Sequence, residues 1–285
     1  MDRIGEISSE NSYSFPLEAS DAKYIRFHLG GTIVKCLVIN LDRSVDRLAA
    51  VAVEFSRIGV AFERVAGVDA ATGVPFVAPP LTDAEICCFL SHRRCWQIIA
   101  DGPDRYGVVF EDDVVFSHDA GAMLADDTWV PRDADVVKLE TFFGGVRIGN
   151  RHIRVKNGYS ATRLFGQHLG SCGYVLSKAA AEKLLTNTKR LKAPVDLALF
   201  SPNQMSAARN TTYQLTPALC AQAHFFAGDR PASLIQLVPR PHITKRLINR
   251  ISVEATRTFG FLRNRAFFAT EKVDAVPLRL PLARS

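Results

Sequence analysis

Apolar and polar positions along this chain follow two alternating periods. Residues 1–32 hold no sustained period and read as an N-terminal extension. Ile33–Leu41 is almost continuously apolar and rich in β-branched side chains, the pattern of a strand buried on both faces. Asp42 follows as a candidate helix cap. Leu48, Val51 and Phe55 then recur at helical spacing as far as Ile58, and Gly59 supplies a stop. Ala61–Val65 predicts a second strand. Strand, helix and strand within about 33 residues make a βαβ unit and imply a parallel sheet.

The alternation continues downstream. Thr82-Asp83-Ala84-Glu85 has capping-box spacing and opens a helix to about Ala100, which Asp101-Gly102-Pro103-Asp104 breaks. Tyr106–Phe110 and Asp135–Leu139 predict further strands. Tyr174–Leu176 precedes a helix through Ala179–Leu185. The expected class is α/β, with a mixed, mostly parallel sheet flanked by helices.

Composition narrows the class. At 47% hydrophobic and 22% charged, the 285 residues suit one large globular domain or two small ones. No clean apolar stretch reaches the roughly 18 residues of a membrane-spanning helix. Asp2, Arg3, Glu6, Glu10 and Glu18 argue against a secretory signal. The six cysteines fall in or beside apolar patterns, as buried free thiols of a reducing compartment do, so a cytoplasmic location is expected.

Charge is placed unevenly. Residues 238–285 carry ten Lys/Arg against three acids, a net of +7, so the remainder of the +6 chain is at −1. A near-neutral body excludes a nucleic-acid footprint. In the basic tail Leu247, Ile251, Ala255, Phe259 and Leu262 share one helical face, and Lys245, Arg246, Arg250 and Arg257 lie on another. Two readings fit: peripheral contact of residues 240–265 with the anionic inner face of the inner membrane, or a helix packed on the domain.

The candidate chemistry sits at Glu111-Asp112-Asp113, where a buried strand ends in three carboxylates. Ligands of open α/β sheets bind beyond the carboxyl ends of strands. Carboxylate oxygens suit Mn²⁺ or Mg²⁺. Strand alternation would send Glu111 and Asp113 one way and Asp112 the other. A solvated acidic turn, or a helix N-terminus, fits the same residues. No G-x-x-x-x-G-K or G-x-G-x-x-G loop is present, so a phosphate bound here needs a metal and side chains. Cys88, His92 and Cys95 share a helical face and read either as a zinc triad or as core packing. Gly170 and Gly173 allow close backbone approach to a ligand, or a turn.

Seven segments, in order, resemble the family 25 glycosyltransferases of lipooligosaccharide and lipopolysaccharide biosynthesis. They are Val38-Ile39-Asn40-Leu41-Asp42-Arg43-Ser44-Val45-Asp46-Arg47-Leu48, then Leu81–His92, Val109–Val114, Val137–Thr141, Gly170–Ser177, Pro194–Phe200 and Pro217–Gln222. They span about two-thirds of the chain. Cys87 departs from the glycine expected there.

The resemblance implies a GT-A-like (Rossmann-like) fold, a uridine-diphosphate sugar donor and inverting transfer of a hexose, often galactose. The acceptor would be a glycan or glycolipid of the cell surface. It implies metal binding at Glu111 and Asp113, and donor binding by Asn40, Arg43, Arg47, Asp112 and Lys138. Arg43 and Arg47 read equally as exposed charges on a first helical turn. Asp196 is the candidate base, or a helix N-cap, and Glu140 is a second candidate that could instead bind sugar hydroxyls. The organisation expected is an extension at 1–32, a glycosyltransferase domain at 33–230 and a basic tail at 231–285. Two rivals are an inactive nucleotide-sugar-binding protein and a metal-dependent phosphohydrolase. The latter lacks the histidine-rich second ligand set of two-metal hydrolysis.

Overall fold

A computed structural model of the protein describes residues 34–73, 81–226, 270–273 and 275–279. In chain order its elements are β1 (Lys35–Asn40), α1 (Val45–Ile58), β2 (Glu63–Ala66), α2 (Asp83–Asp101), β3 (Tyr106–Glu111), β4 (Val114–Phe116), α3 (Ala120–Leu124) and β5 (Val136–Lys138). Next come β6 (Val146–Arg154), β7 (Ser160–Leu164), β8 (Gly173–Ser177), α4 (Lys178–Asn187), α5 (Val195–Phe200) and α6 (Met205–Ala208). The last are β9 (Thr212–Thr216), β10 (Cys220–Gln222) and β11 (Thr270–Val273).

Nine strands form one sheet in the order β11-β6-β7-β9-β5-β8-β3-β1-β2, and β4 pairs with β10 beside it. The α/β class and the mixed sheet are as expected, but the parallel share is smaller than the βαβ unit suggested. Pairing is parallel at β1–β2, β1–β3 and β5–β9. It is antiparallel at the other five contacts. Short connections explain the difference: β6 and β7 are joined by a tight turn, which only antiparallel neighbours can use.

The run Cys36-Leu37-Val38 is apolar throughout because each face of β1 meets a different layer. Cys36 and Val38 pack with Val51 and Phe55 of α1, whose ring meets Phe110 and Phe116 edge-on at 5.7 and 5.0 Å. Leu37 packs on the opposite face with Phe89, Trp96 and Ile99 of α2. The helix signals mostly held. Gly59 closes α1 at φ 67°, in the left-handed region. Thr82 and Glu85 form the capping box, with bonds of 3.3 and 2.9 Å. Asp42 is not the cap of α1: Ser44 holds that position, and the Asp42 carboxylate instead accepts from Arg64.

The C-terminal boundary also differs from expectation. Residues 270–273 and 275–279, expected in the tail, pack on the sheet. β11 extends the sheet beside β6, Val276 is buried, and the Ala218 N–H donates to the Pro277 carbonyl at 2.7 Å. The extension at 1–32 and the amphipathic helix and membrane contact expected over residues 240–265 lie outside the described residues. Among the described residues no helix is long and apolar enough to cross a membrane.

Candidate active site

Register builds the site. Ile39 of β1 lies opposite Glu111 of β3, so the two strands end together and Asn40 meets Asp112. The Asn40 Nδ2 donates to Asp112 Oδ2 at 2.7 Å and to the Ser44 carbonyl at 3.0 Å, while its Oδ1 accepts from Arg64 Nε at 3.0 Å. Arg47, at the start of α1, pairs with Asp112 and lies 3.4 Å from Asp113 Oδ2. Arg43 pairs with Asp69 instead. Asn40, Arg43, Arg47, Glu111, Asp112 and Asp113 line one cleft. The expected alternation of the three carboxylates stops where the strand stops. β3 ends at Glu111, and in the turn to β4 both Asp112 and Asp113 come within reach of Arg47.

Each carboxylate has its own environment. Glu111 Oε1 accepts from Ser171 Oγ at 2.6 Å and lies 3.3 Å from His92 Nε2. Burial works to raise its pKa, yet the His92 and Ser171 bonds and the His92 and Arg47 charges together hold it below the usual range. Burial, then the Glu111 charge, push Asp113 up to about 7, which Arg47 offsets only in part. Its Oδ1 is buried without a hydrogen-bond partner. Burial also raises Asp112, against Arg47 and Asn40.

Behind this cleft lies a sealed second group. Lys138 and Glu140 are both fully buried and 3.1 Å apart. Lys138 Nζ donates to the Gly170 carbonyl at 2.6 Å and sits 4.2 Å from the centre of the Phe200 ring. Glu140 Oε2 accepts from the Cys172 N–H at 3.0 Å. Burial pushes the Glu140 carboxyl to about 7 despite Lys138. Neither residue lines that cleft: both are fully buried and face each other, so Lys138, expected among the donor-binding residues, is closed off from it here. The cause is topological: β8 runs antiparallel beside β5, so its approach, Gly170–Cys172, covers the end of that strand.

Gly170 has φ +86°, and a Cβ there would lie 2.5 Å from Glu140 Oε1. A Cβ on Gly173 would lie 2.5 Å from Cys220 Sγ. Both glycines thus accommodate protein side chains. Asp196 is the second residue of α5, with Pro194 at the cap position, so the capping role weighed for it is not what the structure shows. Its Oδ1 accepts from the Leu197 N–H at 2.7 Å and its Oδ2 from the Gly170 N–H at 3.3 Å.

Of the two readings weighed for Cys88, His92 and Cys95, a zinc triad or core packing, the structure gives core packing for Cys95. Cys95 packs in the apolar core, about 10 Å further along the axis at 1.5 Å per residue. All six cysteines are free. Sequence reasoning passed over Arg64, Ser171 and Tyr174. Only Arg64 had a signal, as a charge inside a buried strand. It also passed over an aromatic cluster two residues along the chain from a contact with Asp113. Phe142, Phe143 and Phe225 pack edge-on at 5.0 and 5.2 Å, and the adjoining Ala223 N–H donates to the Asp113 carbonyl at 2.7 Å.

The family model of Glycosyltransferase family 25 (LPS biosynthesis protein) matches residues 33–199, more than half of the chain. The chain belongs to glycosyltransferase family 25. The matched range contains every candidate residue from Asn40 to Asp196, and β11 falls outside it. The lacto-N-neotetraose biosynthesis glycosyltransferase LgtB of Neisseria gonorrhoeae is 33% identical over 223 residues, 70% of this chain and 79% of that protein. LgtB of Neisseria meningitidis serogroup B is 31% identical over 259 residues, 83% of this chain and 92% of that protein. The lipooligosaccharide biosynthesis protein lic2B of Haemophilus influenzae is 30% identical over 50% of this chain and 55% of its own length. This family 25 member is accordingly a glycosyltransferase.

Proposed function

We propose that the protein transfers a hexose, with galactose favoured, from a uridine-diphosphate sugar to a lipopolysaccharide or lipooligosaccharide acceptor, with inversion and with Mn²⁺ or Mg²⁺. The observation that carries this reading is the buried Asp113 Oδ1, left without a partner beside Glu111 in a cleft that also presents Arg47. A buried carboxylate oxygen without a partner is costly. Two hard oxygen donors suit either ion, which Glu111 and Asp113 would hold. When bound, the ion supplies positive charge for a leaving diphosphate.

The chain's own groups do the rest. Arg47, whose partners are carboxylates at the cleft surface, offers its planar fork to phosphate oxygens, with Arg43 beside it. Asn40 holds Asp112 in place. Asp196 takes the proton of the acceptor hydroxyl as the new bond forms. Glu140, sealed behind Gly170 and Cys172, positions that segment and does not itself exchange a proton with the acceptor. The name of the Haemophilus influenzae relative, a lipooligosaccharide biosynthesis protein, supports a lipooligosaccharide acceptor.

Incubation with manganese and a panel of uridine-diphosphate sugars tests this. Hexose transfer or donor hydrolysis, preferring the galactose donor, is expected. Asp196→Asn should lower kcat by about 10²–10⁴-fold, the worth of general base catalysis, with donor affinity little changed. Phosphomonoester cleavage would indicate a hydrolase instead, and binding without turnover an inactive protein. Turnover that survives in Asp196→Asn removes it as the base.

A further inference from the structure

Cys88, His92 and Glu111 bring a thiol, an imidazole and a carboxylate together, with their ligand atoms all within 4.8 Å of one another. Two come from one face of α2, a single helical turn apart, and the third ends β3. Sulfur, ring nitrogen and carboxylate oxygen form a zinc-type donor set, whereas Mn²⁺ and Mg²⁺ favour oxygen alone.

Two of the three groups are held from behind. His92 Nδ1 lies 2.9 Å from the Tyr174 hydroxyl, which in turn accepts from Trp96 Nε1 at 2.7 Å. Glu111 is held by Ser171 Oγ at 2.6 Å. Outer partners of this kind orient metal ligands and set the ring tautomer. A cation bound between Nε2 and Glu111 takes the place of the Nε2 proton, and Nδ1–H then donates to the Tyr174 hydroxyl. Burial, then the charges of Glu111, Asp196 and Asp113, hold the Cys88 thiol above its usual range, so a cation bound here displaces the thiol proton.

We propose that Cys88, His92 and Glu111 form a site for a thiophilic divalent cation, zinc foremost, with a fourth position open to the cleft. Zinc binding there inhibits transfer. Glu111 is one of the two carboxylates assigned to Mn²⁺ or Mg²⁺, so an ion on Cys88 and His92 draws it away. The inhibition rests on the proposed function; the zinc site does not.

Cobalt(II) titration of the reduced, full-length protein reads the site directly, since a thiolate ligand gives cobalt a near-ultraviolet charge-transfer band. The band should saturate at one equivalent, vanish on adding zinc, persist in Cys87→Ser and be absent from Cys88→Ser. His92→Gln should weaken cobalt binding at least about tenfold, the scale of a lost metal-site interaction. No band in the unmodified protein, or an undiminished band in Cys88→Ser, overturns the proposal. Should Cys88→Ser not fold, alkylation of the unmodified protein decides. Zinc should protect the Cys88 peptide, and protection of another cysteine in its place overturns the site.

In the manganese-supported transfer assay, Cys88→Ser should raise the half-inhibiting zinc concentration at least about tenfold. A cobalt band without turnover on any donor keeps the zinc site and removes the transferase reading. Turnover without a band removes the zinc site alone.

Discussion

The molecule holds two clusters of charge close enough for Glu140 to act on Asp113, and they behave oppositely. In the outer cluster Arg47 pairs with Asp112 and Asp113 while itself 36% exposed. In the inner one Lys138 pairs with Glu140, and neither side chain is exposed at all. Water still reaches the outer pair, so its arginine can exchange a carboxylate for a phosphate at little cost. The inner pair has no such exchange open to it, because an ion left alone there is uncompensated. The same kinds of charge thus stay open to a ligand in one place and hold the backbone in the other.

The largest effect is expected where the inner pair is broken. Lys138→Met leaves the Glu140 carboxylate buried alone and should cost about 3–5 kcal/mol in urea unfolding. The double variant Lys138→Met, Glu140→Gln should lose less than the single one. A single-variant cost below about 1 kcal/mol would put the two clusters on an equal footing.

Gly170→Ala comes next. It places a side chain at φ +86° and 2.5 Å from Glu140 Oε1, so a loss of about 1–3 kcal/mol is expected from the backbone alone. An unchanged melting temperature would mean that the loop holding the inner pair yields freely.

The inner cluster also predicts an acid sensitivity. His168 Nδ1 lies 2.7 Å from Gln214 Oε1, and Gln214 Nε2 donates to the Glu140 carbonyl at 3.2 Å. Burial, with the Lys138 charge, holds His168 down to about 3 against an ordinary 6.5. The unfolded chain therefore takes up this proton first as pH falls. The contribution is complete above about pH 6.5 and is lost toward pH 3, at up to roughly 1.4 kcal/mol per pH unit. Urea midpoints at pH 7 and pH 5 should diverge less in His168→Gln than in the unmodified protein. Equal divergence would remove His168 as the cause.

Arg47→Gln should have the smallest effect on folding, under about 1 kcal/mol, because the arginine itself stays in contact with water. Its effect should appear instead as weakened uridine-diphosphate binding in calorimetry. A large loss of stability with unchanged binding would reverse the contrast between the clusters.

Much of the scaffold was legible. The capping box at Thr82 and Glu85 depends on neighbours three residues apart, and the buried strands announce themselves by unbroken apolar runs. The acidic cluster was legible for the same local reason, three carboxylates in succession at the end of such a run. The pairing of Lys138 with Glu140 was not foreseen, although residues two apart on a strand share a face and Glu140 stood at that spacing. Asp42 was misread as a cap because its claim was local, while its partner Arg64 lies across a strand pair. The return of residues 270–273 to the sheet had no sequence signal strong enough to set against the basic charge around it.

By itself the sequence determined β1, α1, β2, α2, β3, β5, β8 and α4, their order, and the position of Glu111, Asp112 and Asp113 at the end of β3, because these follow from local periodicity and burial. Only the tertiary structure decided what each carboxylate would face. Asn40 meets Asp112 across 72 residues, and Ser171 meets Glu111 across 60. Those contacts depend on the register of β1 and β8 against β3, which the packing of the whole sheet sets. The same register gave Glu111, and not Cys95, to Cys88 and His92.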